Sequence, residues 1–257
     1  MELGLGTWQN EGEKCAESVK IALDMGYRHI DTAQIYGNEK QVGDGIEASD
    51  VERDQIFLAS KVWIDQLSSE NVVSSTKESL EKLQTDYVDL MYVHWPSGDY
   101  SPKESLEGLQ ELKDRGLINN IGVSNFEVPH LEKALQTVDV YANQVEMHPL
   151  LPQEELREFC EENDVELVAY SPLARGEVFN VREIQEVAEK HGVSEAQVSL
   201  AWIRQKGAVP IPKASSIEHI EDNFESQDLE LDDEDIEKID SIRGEERMVD
   251  PDFAPWR

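Results

Sequence analysis

Short apolar runs alternate with amphipathic helical patterns along the whole sequence, and this alternation limits the folds available to it. Eight runs are typical of strands, at residues 3–8, around 30, and at 56–61, 87–93, 118–123, 141–145, 165–170 and 208–211. Helical spacing follows each run, in units of about 30 residues, the usual size of a strand–helix–strand repeat. Because such alternation places the strands in parallel, the sequence predicts an α/β fold, a (β/α)8 TIM barrel.

Capping residues and helix-breaking residues support the bounds of the predicted helices. They lie at 13–25, from 38 onward, 68–83, 102–116, around 131–135, 152–163, 182–191, 194–205, 217–224 and 232–239. Asn38 and Gln41 fit a capping box at the start of the second helix. No linker or composition shift divides the chain, so residues 1–257 are predicted to form one domain. A doubly wound open sheet is the alternative, but no G-x-G-x-x-G motif follows the first strand.

The charge of the chain excludes two classes of partner. The sequence has 55 acidic and 23 basic residues, a formal net charge of −32. Such a field repels nucleic acid and anionic membranes. Disorder is an alternative explanation, but the acids lie on helices that keep their apolar faces. The composition resembles that of cytosolic proteins from salt-accumulating halophiles. At about 1 M salt the Debye length is only about 3 Å, so the repulsion between the acidic residues is screened. We expect stability and activity to fall when salt is removed.

The remaining composition indicates a cytoplasmic monomer. No stretch approaches the roughly 18 apolar residues of a membrane span, and the segment Met1–Gly4 lacks the pattern of a secretory signal. Cys15 and Cys160 show no metal-ligand spacing and are interpreted as free thiols of a reducing compartment. No metal site and no long exposed apolar stripe are predicted.

Polar residues follow the predicted strands, where a barrel of this type places its chemistry. Asp31 and Tyr36 share the loop after the second strand, Lys61 ends the third and His94 follows the fourth. Lys61, paired with Asp31 and close to Tyr36, would lower the tyrosine's pKa from about 10 by stabilising the phenolate. The tyrosine could then donate a proton to a developing alkoxide.

Each of these four residues also has an ordinary structural interpretation. Lys61 alone could reach solvent from its strand end, and His94 alone could be a hydrogen-bonded interior histidine. Asp31 could cap a turn, and Tyr36 could be an aromatic residue of the rim. The catalytic interpretation is preferred because four reactive groups recur at equivalent positions on adjacent strands.

These residues belong to motifs that resemble the aldo-keto reductase family, in family order over nearly the whole chain. The motifs are Asp31-Thr32-Ala33 with Tyr36 and Asn38-Glu39, Lys61-Val62-Trp63, His94-Trp95-Pro96, Ile121-Gly122-Val123-Ser124-Asn125-Phe126, Asn143-Gln144 with Glu146 and His148-Pro149, Tyr170-Ser171-Pro172-Leu173, and Ile211-Pro212-Lys213.

The resemblance implies hydride transfer from a nicotinamide cofactor to an aldehyde or ketone, without a metal. It makes Tyr36 the general acid, Lys61 the group that lowers its pKa, Asp31 the partner of Lys61, and His94 the residue that orients the carbonyl. The implied cofactor contacts are Thr7, Asp31, Ser124, Asn125, Gln144, Tyr170, Ser171, Leu173, Lys213, His219, Asp222 and Asn223. The implied substrate contacts are Trp8, Trp63, His94 and Trp95.

Three departures from the family pattern refine these expectations. Ala214 and His219 replace the serine and arginine that, with a lysine matching Lys213, commonly clamp the 2′-phosphate of NADPH. We therefore expect NADPH as cofactor with appreciable use of NADH. The family's N-terminal hairpin has no counterpart before Leu3, which implies an open barrel floor or a start downstream of the true one. The short tail, 250–257, suggests an open, permissive substrate site.

Two functions of other classes compete with a reductase. A cofactor-sensing subunit with little turnover is the first, and the intact set of four reactive residues argues against it. A phosphate-binding aldolase or isomerase is the second. No glycine-rich phosphate loop after the seventh and eighth strands supports it.

Overall fold

Eight parallel strands form one curled sheet, in the order β1-β2-β3-β4-β5-β6-β7-β8. The computed structural model describes residues 3–257. The strands are β1 Leu5–Gly6, β2 His29–Asp31, β3 Phe57–Val62, β4 Val88–Val93, β5 Ile118–Ser124, β6 Ala142–Glu146, β7 Glu166–Tyr170 and β8 Ala208–Pro210. Each predicted strand is present, with bounds that differ by a few residues at most, largest at β1.

Helices follow the strands and pack on the outside of the sheet. They are α1 Gly12–Met25, α2 Glu39–Glu47, α3 Ser69–Leu83, α4 Pro102–Asp114, α5 Val128–Leu135, α6 Glu154–Glu162, α7 Arg182–His191, α8 Glu195–Gln205, α9 Ile217–Glu225 and α10 Asp233–Asp240. All the predicted helical segments are confirmed. Among residues 3–257, no helix is both long and apolar enough to cross a membrane.

Local sequence explains several helix starts. The side chains of Ser68, Ser194 and Ser216 accept hydrogen bonds from backbone N–H groups in the first turns of α3, α8 and α9. Asp232 and Asp235 form a reciprocal capping box at the start of α10. Each cap satisfies a donor that the helix cannot pair internally, and is worth about 1 kcal/mol.

The capping box expected at Asn38 is wrong. Asn38 precedes α2 but makes no capping hydrogen bond. Its Nδ2 donates to the carbonyls of Thr7 (2.8 Å) and Asn10 (2.9 Å), and its Oδ1 accepts from the Thr32 hydroxyl (2.8 Å). The buried loop after β1 has carbonyls without ladder partners, and satisfying them outweighs a local cap. Asn38 thereby joins the loops that follow β1 and β2.

The two edges of the sheet also meet through backbone hydrogen bonds. Gly4 N donates to Pro210 O (2.9 Å) and Gly6 N donates to Pro212 O (3.0 Å). The approach at Gly6 is so close that a Cβ there would lie 2.7 Å from the Ile211 carbonyl oxygen. Only glycine fits at this position.

Two clusters of buried apolar side chains pack against the strands and stabilise the sheet. The larger lies between the sheet and the helices, and the smaller lies inside the curl of the sheet. The inner cluster consists of Ala59, Leu90, Tyr92, Ala142, Val168, Val209 and Ile211. Burial of each large apolar side chain contributes about 1.5–3 kcal/mol before entropy is counted. The polar residues of the strand ends lie next to this cluster, at the carboxyl ends of the strands, where a cavity opens.

The expectation about the missing N-terminal hairpin concerns the start of the chain, where Met1 and Glu2 lie outside the described residues.

His29 is buried at the amino-terminal end of the strands. It is 1% exposed, and its ring packs edge-on against Phe57. Within residues 3–257, neither ring nitrogen of His29 has a hydrogen-bond partner. Burial lowers the pKa of His29 to about 4.

This low pKa predicts a pH dependence of stability. Because the folded-state pKa lies below the usual value near 6.5, the folded protein binds fewer protons than the unfolded chain between pH 6.5 and 4. The free energy of unfolding therefore falls as the pH drops through that window, by about 3 kcal/mol at pH 4 from this group.

Urea unfolding at pH 7 and pH 4 measures the effect. The His29→Gln variant, which cannot titrate there, should lose about 3 kcal/mol less than the wild type. His219→Gln, at an exposed histidine, is the control and should lose as much as the wild type. Equal losses in His29→Gln and the wild type would contradict the prediction.

Candidate active site

A cavity of about 290 Å³ opens at the carboxyl ends of the strands. Parallel strands all end on this side, so the residues that follow them share one space. The lining residues are Gly6, Thr7, Trp8, Asp31, Ile35, Tyr36, Trp63, His94, Trp95, Ser124, Asn125, Gln144, Tyr170, Ser171, Arg175, Ile211, Lys213, Val249 and Phe253.

A buried ion pair lies beneath the cavity. The Lys61 ammonium binds one carboxylate oxygen of Asp31 and donates to the Thr32 carbonyl (2.8 Å). The other carboxylate oxygen of Asp31 accepts from Gln144 Nε2 (2.8 Å). The Lys61 side chain has no exposed surface and that of Asp31 only 3%. The solvent-reaching interpretation of Lys61 is therefore wrong.

The ion pair is firmly anchored. The backbone carbonyl of Asp31 accepts from the Thr7 backbone N–H (3.1 Å) and from the Thr7 hydroxyl (2.9 Å). Burial lowers the pKa of Lys61, and the Asp31 carboxylate opposes that shift. Removing either partner would leave an uncompensated buried charge, which costs about 3–5 kcal/mol.

Tyr36 lies beside this pair at the end of a short 3-10 turn, Gln34–Tyr36. Its ring centre is 5.2 Å from the Lys61 Nζ and 5.9 Å from the centre of the His94 ring. Burial, together with the nearby Asp31 and Tyr170, raises the pKa of Tyr36 well above its ordinary value of 10. The expected lowering of this pKa is therefore wrong, because desolvation of the phenolate outweighs the neighbouring ammonium. The phenol keeps its proton at neutral pH.

His94 follows β4 and faces the same cavity. It is 8% exposed, and its ring lies edge-on to Trp63 with centres 5.1 Å apart. Burial, with the Lys61 charge, holds the pKa of His94 well below 6.5, so the imidazole is neutral. Within the described residues its Nδ1 has no hydrogen-bond partner. This nitrogen does not support the interpretation of His94 as an interior histidine whose ring nitrogens are both hydrogen-bonded.

An amide network forms a second wall. Ser124 Oγ donates to the Gln144 carbonyl (2.8 Å), and Asn125 Nδ2 donates to the His94 carbonyl (3.1 Å). The Tyr170 hydroxyl donates to Asn125 Oδ1 (2.7 Å). Asn125 has a left-handed backbone, with φ 63°, a conformation that asparagine tolerates better than most residues. The contacts with His94 and Tyr170 fix the orientation of the Asn125 amide, and the Asp31 carboxylate fixes that of Gln144.

The segment after β8 carries the predicted cofactor clamp. Lys213 is exposed, lines the cavity and donates to Ser215 (3.3 Å). Ala214 is buried, and His219 is exposed on α9. Asp222 accepts from Ser194 (2.8 Å) and from Gln197 (2.9 Å).

The C-terminal tail reaches the cavity although it is short, and the open, permissive site suggested by its length stays a prediction. The buried Glu146 carboxylate accepts from the backbone N–H groups of Met248 (2.7 Å) and Val249 (3.0 Å). Farther along, the Phe253 ring lies edge-on to Trp95, with centres 5.4 Å apart. Val249 and Phe253 both line the cavity.

The structure gathers most of the predicted residues around one space. Lys61 lies just beneath the lining. Leu173, His219, Asp222 and Asn223 are not part of the lining, and their cofactor roles stay predictions. The prediction missed Gly6, Ile35, Arg175, Ile211, Val249 and Phe253 as lining residues. Ile35 had a detectable signal, since it is an apolar residue directly before Tyr36 in a loop.

Comparisons with known proteins identify the family. Residues 2–243 match the sequence profile of the Aldo/keto reductase family. The chain is 44% identical to glyoxal reductase of Bacillus subtilis (strain 168), over 95% of this chain and 90% of that protein. It is 40% identical to methylglyoxal reductase DkgB of Escherichia coli O157:H7, over 98% of this chain and 97% of that protein.

A solved structure shows the same fold. The crystal structure of a putative 2,5-diketo-D-gluconic acid reductase B superposes with a TM-score of 0.95 at 35% identity, covering 98% of this chain and 92% of that one. With the sequence profile and the two reductases, this agreement shows that the chain belongs to the aldo/keto reductase family and is an oxidoreductase that reduces aldehydes or ketones with a nicotinamide cofactor.

Proposed function

We propose that this enzyme reduces small aldehydes and dicarbonyls with NADPH, and that its strands close into a single-domain (β/α)8 TIM barrel. The buried Asp31–Lys61 pair beneath Tyr36 carries the proposal, since it places an ammonium beside a protonated phenol at the base of a cavity. The hydrogen bonds between β1 and the segment around Pro210 support closure. The relatives named above are reductases, so nothing favours a sensor or an aldolase.

The residues of the cavity fit a nicotinamide cofactor. Ser124, Asn125 and Gln144 offer amide and hydroxyl groups of the kind a carboxamide needs, and the partly exposed Tyr170 ring offers a flat surface. Lys213 supplies a cation near the mouth. A bound reduced nicotinamide would supply the hydride, and the protein's part is to orient it and exclude water.

Tyr36 is the proton donor in this proposal. Its raised pKa keeps the phenol protonated, which is the form that a general acid requires. An alkoxide is a much stronger base than a phenolate, so proton transfer from Tyr36 to the carbonyl oxygen stays favourable. Lys61, fixed by Asp31, then stabilises the phenolate that remains. Neutral His94 directs the carbonyl oxygen towards Tyr36 with a ring nitrogen.

The substrate class follows from the size and walls of the cavity. Trp8, Trp63, Trp95 and Phe253 give it aromatic walls. The cavity of about 290 Å³ must also hold the nicotinamide ring, so the space that remains suits a small carbonyl compound. Relatives named for glyoxal and methylglyoxal reduction support a dicarbonyl substrate.

A monomer in a salt-rich cytoplasm is the proposed working form. Among the described residues, the exposed large apolar side chains are Trp8, Ile35, Phe179, Ile217 and Phe253, and three of these line the cavity. This leaves no broad apolar patch for a partner subunit. Cys15 and Cys160 are buried free thiols, which suit a reducing compartment.

The Tyr36→Phe variant tests the chemistry. Loss of the hydroxyl removes the proton donor, so kcat for methylglyoxal should fall at least about 100-fold. The Kd for NADPH, from quenching of tryptophan fluorescence, should change little. Tyr100→Phe, outside the cavity, is the matched control and should keep full activity. Wild-type turnover by Tyr36→Phe would remove this residue from the mechanism.

Cofactor preference tests the altered clamp. We expect the ratio of kcat/KM for NADPH over NADH to stay below about a thousand, roughly 4 kcal/mol, because exposed His219 and Ala214 replace two phosphate-binding groups. His219→Arg should raise that ratio about tenfold or more by restoring a permanent, bidentate cation. An unchanged ratio in His219→Arg would refute a role for this position.

Salt dependence tests the interpretation of the acidic surface. With a net charge of −32, self-repulsion should lower the melting temperature as salt falls from about 2 M to about 0.05 M. Differential scanning fluorimetry in KCl, with activity measured in parallel, reports both effects. A melting temperature and an activity that do not change across this range would exclude a halophilic adaptation.

A further inference from the structure

The cavity has a positive mouth in a strongly acidic protein. Three charged side chains line it: Asp31, Arg175 and Lys213. Asp31 is neutralised by Lys61, so two cations remain at the mouth although the whole chain carries −32. Opposite local charge of this kind attracts anions to a cleft.

Arg175 has free hydrogen-bond donors. Its guanidinium lies over the Trp8 ring, 5.1 Å from the ring centre. Other arginines, such as Arg53, Arg115 and Arg182, bind carboxylates; within residues 3–257, Arg175 has no such ion pair. The contact with the Trp8 ring uses none of the guanidinium N–H donors as a hydrogen bond to an acceptor oxygen, so they stay available to a ligand.

The loop that carries Arg175 is fixed. Ser171, Ala174 and Arg175 all have left-handed backbones, with φ of 47°, 47° and 52°. Such conformations cost about 1–2 kcal/mol each for residues with a Cβ, so the surrounding structure must enforce them. Ala174 is fully buried, and the Pro172 carbonyl accepts from the Ser199 hydroxyl (2.7 Å). The backbone at Arg175 is therefore held in place before a ligand arrives, and its guanidinium starts from the Trp8 ring.

We propose that Arg175 binds an oxyanion at the mouth of the cavity. The ligand group is the carboxylate of an anionic carbonyl substrate, because the guanidinium lies over Trp8, an aromatic wall of the proposed substrate pocket, and can bind a carboxylate with two parallel hydrogen bonds. The proposal rests on the proposed function and adds a charge-recognition residue to it. Trp8 has a second role as the surface that holds the guanidinium.

The Arg175→Asn variant isolates the cation. Asparagine tolerates the left-handed backbone, so the loop keeps its shape while the charge is lost. Arg182→Asn is the matched control, because Arg182 is an exposed arginine on α7 that pairs with Glu186 and does not line the cavity. All measurements use the same salt concentration, since screening changes charge effects.

The first arm tests the substrate carboxylate. The kcat/KM values of 4-carboxybenzaldehyde and 4-methylbenzaldehyde are compared in each variant, and the neutral aldehyde reports the intact reaction. If the carboxylate is the ligand group, Arg175→Asn lowers the ratio of charged to neutral substrate by roughly tenfold or more. Arg182→Asn keeps the wild-type ratio.

The second arm tests the competing ligand, the cofactor diphosphate, without turnover. Tryptophan fluorescence gives the Kd of ADP-ribose and of nicotinamide mononucleotide, which lacks the diphosphate. In Arg175→Asn we expect the Kd values of ADP-ribose and of nicotinamide mononucleotide to stay within about twofold of the wild type. ADP-ribose binding weakened roughly tenfold or more, with an unchanged aldehyde ratio, would show that the guanidinium binds the cofactor and would overturn the proposal. An aldehyde ratio that changes by less than about twofold would overturn it as well. A wild type that reduces neither aldehyde would instead count against the proposed function, and the Kd of 4-carboxybenzaldehyde from the same fluorescence measurement would then test Arg175.

Discussion

The buried ion pair of Asp31 and Lys61 is the interaction on which the rest of the site depends. One carboxylate binds Lys61 from β3 and Gln144 from β6, and the backbone of the same residue binds Thr7 after β1. Asp31 thus links four strands of the sheet at the base of the cavity. Because a lone buried charge costs about 3–5 kcal/mol, substitutions in this pair change stability and chemistry together.

The sequence predicted most of the fold because its local and global signals agree. The period of apolar residues changes from strand to helix at each boundary, and parallel strands bring Asp31, Lys61 and His94 to one rim whatever the loop details. Where the prediction was wrong, a tertiary interaction outweighed a local one. Asn38 satisfies the carbonyls of another loop instead of capping its helix, and burial outweighs Lys61 in setting the pKa of Tyr36.

The lining residues that the sequence did not reveal come mostly from segments without a periodic pattern. Arg175 reaches the cavity only because its loop adopts left-handed backbone conformations. Phe253 reaches it because the tail folds back across the strand ends. Neither conformation has a signature in composition or spacing. The cationic mouth that Arg175 and Lys213 create is likewise invisible in the net charge of −32, which describes the surface as a whole.

The attachment of the C-terminal segment has a consequence for how this pocket can diversify. Glu146 holds that segment by the main-chain amides of Met248 and Val249, not by their side chains. Any residue except proline supplies the same amide. The side chains of this segment that line the pocket, Val249 and Phe253, can therefore be exchanged, and with them one wall of the pocket, while the anchor at Glu146 stays in place. Loop-swapping or directed evolution of substrate range would best begin between residues 248 and 257, with Glu146 left unchanged.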